Sequence, residues 1–314
     1  MTSLVRDHCP DWRSWRAPEL PPLPQIDAWD GPWCRDITRV AVDAARTAAL
    51  ADLDTTVSAV GGVAPWDGSS PGQPYDVVTD NRRLRIWDLS QPARWSWSGL
   101  ITPTVDIPAP ETIRREGDPM GAFDRHARIV TDRTLTEAIC VEQPVVSLTR
   151  LLGVPWQCGY PGGGRGVVTY DLTRRHRAGS GGVVAARVPH LPMIIRHDEL
   201  ERGNIGHCLF GVVPDYAPDK TGWAEGTDGT VAGHPVRAGE ILRLRPDIAG
   251  RWERGTPEHT VATAMTVHGV FIGDKHGDPK AGLKVTVAQD RRIGRIELGL
   301  TTRDFEIVHQ GEPS

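Results

Sequence analysis

The densest run of chemistry-bearing side chains is RHDELERGNIGH, which sets Arg196, His197, Asp198, Glu199 and His207 within twelve positions of one another. Apolar stretches flank it, LPMII before and CLFGVV after, and two strands so placed would hold the run at the mouth of a cleft. A carboxylate pair beside a histidine can exchange protons with a sugar polymer, because burial and neighbouring charge drive carboxyl pKa values apart. The same residues could ligate a metal, but HExxH and closely paired histidines do not occur. The competing expectation is a solvated turn that caps a short helix.

Other residues extend this candidate surface. His126 precedes one expected strand and His207 another, while Glu137 lies on an alternating strand with Leu135 and Ile139. A carboxylate facing a sheet interior needs a partner. If His126, Glu137 and His207 converge on one concave face, they form a binding or catalytic floor; singly, such a histidine is a satisfied structural donor. Trp95 and Trp97 in RWSWS share one strand face and are suited to stack on sugar rings, or to pack in a core. GDKHGD places Asp274, His276 and Asp278 in a turn that could weakly bind Ca²⁺ through Asp274 and Asp278, although a plain Asp-Gly turn explains the same residues. GYPGGGRG (159–166) lacks the Lys-Ser/Thr ending of a phosphate loop and is expected to be a loop tip. GxSxG, a Cys–His pattern and a dinucleotide fingerprint are missing as well.

The elements that must hold these groups are mostly short strands. Alternating or apolar runs at 75–79, 83–89, 99–107, 125–131, 134–142, 166–172, 206–213, 240–245, 284–288 and 305–309 predict strands between Gly, Pro and Asp clusters. Two helices stand out: RVAVDAARTAALADL (39–53), and a second one capped by Thr256 with Pro257 in its first turn. Many strands without regular βαβ alternation predict a mainly β fold: a jelly-roll or concanavalin-like β-sandwich with two or three short helices.

Composition agrees with that class. Thirty-four glycines and 26 prolines make up about a fifth of the 314 residues, so turns abound. A formal net charge of −4 gives no support to basic-patch nucleic-acid binding. No apolar run is long enough to insert in a membrane, and MTSLVRDHCPDW has no apolar core of a secretory signal. Cys9, Cys34, Cys140, Cys158 and Cys208 are scattered and odd in number, which predicts free thiols made in a reducing compartment. Residues 1–28, rich in Trp and Pro, form an N-terminal arm expected to pack on its own domain or on a partner. Residues 29–314 form one β-sandwich domain.

Taken in order, several stretches carry a resemblance. WDGPWCRDITRVAVD (29–43), DRH (124–126), TE (136–137), LPMIIRHDELERGNIGHC (191–208), RLR (243–245), HGVFIGD (268–274) and DFEIV (304–308) follow the order and spacing of a family of bacterial and phage jelly-roll proteins. The likeness spans residues 29–308. The chain departs from it in GSGGVVAARVPH (179–190), in Thr136 before Glu137, and in His268-Gly269. Secreted members of that family resemble carbohydrate-active or lectin-like proteins, and phage members resemble minor tail proteins.

This resemblance implies a minor tail or tail-tip protein of an actinobacterial phage, present in multiple copies per particle. Such a protein is assembled in the host cytoplasm without an export signal and resides in the virion. It would dock on other tail proteins through the arm and contact host surface polysaccharide through Arg196, Asp198, Asp274, Trp95 and Trp97. The alternative is a polysaccharide lyase or glycoside hydrolase using Glu199 or Glu137 with His207 or His126. A purely structural tail subunit is the third reading. No cofactor is expected.

Overall fold

The structure, a computed structural model, describes residues 19–23, 31–60, 72–80, 83–88, 94–96, 99–101, 104–108, 114, 126–141, 157–158, 167–171, 183–278 and 280–309. In chain order the strands are β1 (Thr56–Val60), β2 (Asp76–Val77), β3 (Arg83–Asp88), β4 (Arg94–Ser96), β5 (Gly99–Ile101), β6 (Thr104–Pro108), β7 (His126–Val130), β8 (Thr134–Val141), β9 (Gln157–Cys158), β10 (Val167–Asp171), β11 (Leu209–Val213), β12 (Ala217–Lys220), β13 (Arg237–Ala238), β14 (Ile241–Leu244), β15 (Val270–Lys275), β16 (Leu283–Thr286), β17 (Ile296–Thr301) and β18 (Phe305–Ile307). Three short α-helices accompany them: α1 (Ala44–Leu53), α2 (His197–Arg202) and α3 (Pro257–Val267).

Local sequence explains where the helices begin and end. The Asp43 carboxylate accepts from Arg46 N at 3.1 Å, and Val42 is engaged in a bridge with Val308, so α1 starts at residue 44 and not at 39. Thr256 caps α3 by accepting from His259 N at 3.2 Å, with Pro257 behind it. The chain leaves α3 through Gly269 at φ +82°, where a Cβ would come within 2.4 Å of Ile241 Cγ2. Only glycine satisfies both conditions.

Seven strands form the first sheet, in the order β17-β1-β16-β11-β15-β14-β18. It is mixed: β1 runs parallel to β16 and β11 to β15, and the remaining neighbours are antiparallel. The registers put Val57, Leu242, Val270, Leu283, Val285 and Leu300 on one face, all buried. That face receives α3, whose Val261, Ala262, Ala264 and Met265 are buried. The helix packs against both β14 and β17, which lie towards opposite ends of the sheet. A sheet can reach one helix from both ends only by curling, and this one forms a half-barrel.

The second sheet runs β2-β7-β8-β9-β3-β6, with β10 added on β8. Its β7–β8 hairpin pairs Arg128 with Glu137, and β10 sets Val168 opposite Glu137. Strand β7 is buried on both faces. Two small ladders, β4–β5 and β12–β13, complete the strand pairings. Between the large sheets runs the segment 183–195, with Leu191, Met193, Ile194 and Ile195 fully buried. Its His190 ring lies 4.1 Å from the Phe210 ring of the first sheet, and Trp223 stacks on Phe271 at 3.9 Å.

The fold is thus mainly β with short helices, as the strand spacing led us to expect, and its two large sheets are compatible with a β-sandwich. No helix among the described residues is long and apolar enough to cross a membrane. Part of the arm is visible at 19–23, and it docks on its own domain. Leu20 is buried; its N–H donates to Asp290 Oδ2 at 2.9 Å and its carbonyl accepts from Arg292 Nη2 at 2.6 Å. The Tyr75 hydroxyl donates to Pro21 O at 2.6 Å, and Arg291 pairs with Glu19. Residues 1–18 and 24–28 of the arm lie outside the described residues.

Candidate functional site

Polar side chains gather in two places. The first is built on α2, the short helix inside RHDELERGNIGH. Arg196 is its N-cap residue, and Glu199 closes the first turn by accepting from Arg196 N at 3.1 Å. The Arg196 guanidinium reaches the other oxygen of the same carboxylate. His207, brought back by the turn at 203–206, places Nε2 at 2.9 Å from Glu199 Oε1 and Nδ1 at 2.7 Å from Cys208 O. Both ring nitrogens therefore face acceptors, and both bonds are made only when both nitrogens carry protons.

Arg196, beside Glu199, and His207 hold the Glu199 carboxyl below the usual range, although burial pushes it the other way. Asp198 pairs with Arg202 at 2.8 Å and lies 3.7 Å from Arg196 Nε. Tyr75 borders the cluster, its phenol pushed up by burial, with Arg196, Asp198, Glu199 and Asp290 as charged neighbours. The segment 19–23 thus docks next to α2. His197 and Asp198 are half-buried, and Glu201 and Arg202 are exposed. They give this helix its outer, polar side.

The second gathering lies between the sheets. Arg128 and Glu137 are fully buried, with Arg128 Nε 3.8 Å from Glu137 Oε1. That same oxygen accepts from His190 N and Leu191 N, both at 2.9 Å. Arg128 Nη2 donates to His190 Nδ1 at 2.5 Å, which assigns the ring proton to Nε2. Nε2 then donates to Thr286 Oγ1 at 3.2 Å, and that hydroxyl donates to Phe210 O at 3.4 Å. The chain of bonds crosses from the second sheet to the first. Burial raises the Glu137 carboxyl pKa despite Arg128 beside it. Burial and Arg128 together lower the His190 ring well below its ordinary value.

The sequence-predicted residues therefore divide. Arg196, Asp198, Glu199 and His207 come together around α2. Glu137 lies in the second gathering, where His126, a buried residue at the start of β7, influences it electrostatically. Among the described residues no hydrogen bond or ion pair joins Glu137 to Glu199 or His207. Asp274 belongs to neither group: it accepts from Lys275 N at 2.9 Å, at the end of β15, near Tyr216. Asp278 accepts from Lys280 N and donates its own N–H to His276 Nδ1, the bonding of a closed turn. Among the described residues no group of three or more His, Cys, Asp or Glu is placed to hold a metal ion. Trp95 sits on β4, opposite Leu100 in the ladder, while Trp97 and the loop at 159–166 lie outside the described residues.

Sequence reasoning passed over Arg128, His190, Tyr75, Asp290 and Arg292. For Arg128 a signal existed. It alternates in phase with His126 and Val130, and a tight β7–β8 turn sets it directly opposite Glu137. Asp290 and Arg292 pair locally, two residues apart, but their bonds to Leu20, like those of Tyr75 and His190, come from tertiary packing.

Chemically, Glu199 is a fixed anion held between Arg196 and His207, and Glu137 is a buried acceptor for backbone N–H groups. Fold and site together define a mainly β, two-sheet protein whose acidic groups are wired into its frame. Compared with models of protein families, with curated proteins and with solved structures, the chain matches none.

Proposed function

We propose that this protein is a minor tail or tail-tip component of a phage virion that contacts host envelope glycan through the polar surface of α2. The observation that carries the reading is the contrast between the two sides of that helix. On the inner side Arg196, Glu199 and His207 are bonded to one another, which ties the helix to the turn that follows it. On the outer side His197, Asp198, Glu201 and Arg202 face solvent at least in part and offer the hydrogen-bonding groups that orient sugar hydroxyls. Several copies on one particle raise a weak site affinity through avidity. Other tail proteins are the partners of residues 1–18 in this reading, and Trp95 and Trp97 supply ring stacking.

A hydrolase or lyase would need an accessible acid–base pair. Glu137 is fully buried and Glu199 nearly so, and both nitrogens of His207 are engaged. That same saturation favours, as the second reading, a structural tail subunit with no glycan site.

The test is co-sedimentation of the purified chain with actinobacterial cell envelopes, assaying protein in the pellet and saccharide in the supernatant. Binding without released saccharide is expected, and Asp198→Asn with Arg202→Gln should lower the pelleted fraction several-fold. Released oligosaccharide would replace this reading with the enzyme. Absence of pelleting would leave the structural subunit.

A further inference from the structure

Five cysteines stand at 9, 34, 140, 158 and 208, and sequence spacing pairs none of them. The sheet register pairs two. Cys140 on β8 and Cys158 on β9 are direct partners across an antiparallel ladder. Residues opposite one another in such a ladder have Cα atoms about 4.5 or 5.5 Å apart, depending on the hydrogen-bonding position. A disulfide spans Cα separations of about 4.4–6.8 Å, so both kinds of position fall within its reach.

The place of this pair in the fold gives the bond something to do. Strand β9 is only Gln157–Cys158. On one side it pairs with β8, and on the other it pairs with β3, where Cys158 faces Asp88. It is the strip that joins the β3–β6 hairpin to the rest of the second sheet. Two residues of ladder make a weak join.

We propose that Cys140 and Cys158 close a cross-strand disulfide at this join when the protein meets an oxidising medium. With a small-molecule disulfide such as oxidised glutathione, the thiolate of one cysteine displaces one glutathione thiolate and forms a mixed disulfide. The second cysteine's thiolate then attacks the protein sulfur and expels the other glutathione. Two electrons leave the cysteine pair, the oxidant is reduced to two thiols, and the two cysteine protons end on them.

The other described cysteines behave differently. Cys34 and Cys208 are neighbours, since Cys208 N donates to Trp33 O at 2.7 Å and the two thiols interact electrostatically. Neither is part of a disulfide in the structure. Cys208 is fully buried, and burial pushes its thiol well above the usual range, which leaves little thiolate to react.

Trypsin makes the proposal directly readable. Cleavage after Arg133, Arg150 and Arg165 puts Cys140 in the peptide 134–150 and Cys158 in the peptide 151–165. The reduced, folded protein is incubated with oxidised glutathione, quenched with a thiol alkylator, and digested without reductant. The two peptides should appear as one linked species, lighter than their sum by two hydrogens and separable by reductant. Uncleaved chain would instead be lighter by one water. The count of alkylatable thiols should fall by two, and in Cys158→Ser no linked species should form while Cys140 becomes alkylated or glutathione-capped. Recovery of both wild-type peptides alkylated or glutathione-capped, from protein with unchanged circular dichroism, would overturn the proposal. So would a dominant link between Cys140 and any other cysteine.

Discussion

Glu137 is the residue whose removal should cost most, and the structure allows the size to be worked out. Its side chain is fully buried, faces Arg128 across the ladder, and accepts two backbone N–H groups through Oε1. Glu137→Leu leaves a buried guanidinium without its counter-charge, at about 3–5 kcal/mol. It also strips the acceptor from two buried N–H groups, each worth about 1–3 kcal/mol, with the terms overlapping. The expected loss is therefore about 5 kcal/mol, enough to consume much of an ordinary domain's stability. Glu137→Gln keeps an acceptor oxygen for both N–H groups but also removes the counter-charge, so it should cost about 3 kcal/mol, less than Glu137→Leu. Arg128→Met with Glu137→Leu removes both charges, so the pair should cost less than the two single changes added together. Urea unfolding followed by tryptophan fluorescence compares wild type with the four variants, Arg128→Met alone included. A loss below about 1 kcal/mol for Glu137→Leu, or simple additivity in the double variant, would refute the claim that this pair is a coupled internal clamp.

Two further outcomes follow from the same interior. His190 is held neutral, its ring pKa well below the ordinary 6.5. The unfolded chain takes up that proton near its ordinary pKa and the folded chain does not, so this histidine's contribution is complete above pH 6.5 and is lost as pH falls towards the folded value. His190→Gln should flatten the urea midpoint against pH below about 6.5, and a profile identical to wild type would remove His190 from the account. At the arm, Asp290→Ala deletes the acceptor for Leu20 N and the partner of Arg292. It should cost about 1–3 kcal/mol and speed amide exchange at Leu20, and unaltered exchange there would mean that the arm is held by apolar packing alone.

The fold class was legible in the sequence because strand periodicity and turn residues are local signals. Thr256 and Pro257 placed the start of α3, and the strand-forming run at 125–131 placed β7. The β1 segment was not recognised: Thr56–Val60 follows α1 after two residues, and its strand character comes from distant partners, Leu283–Thr286 and Thr301. The same distance hid the mixed character of the first sheet, since parallel pairing leaves no hairpin signature. At the site, Arg196, Glu199 and His207 lie close in sequence, so their convergence could be anticipated. Glu137 was singled out for the right reason, an inward carboxylate that needs a partner, while His190 meets it only through the register of a distant loop.

The order of the strands also constrains how the chain can be made. The described strands of the second sheet all fall within residues 76–171, so their partners emerge from the ribosome close together. Strand β1 is synthesised before any of them, yet its two neighbours are β16 and β17, more than 200 positions later. The apolar side of Val57 and Ala59 must therefore wait, unpaired, until nearly the whole chain exists. Closure of the half-barrel is a late event that couples the two ends of the polypeptide. A chain truncated before residue 296 would retain its second sheet but expose an open edge at β1, the kind of edge that pairs with other molecules.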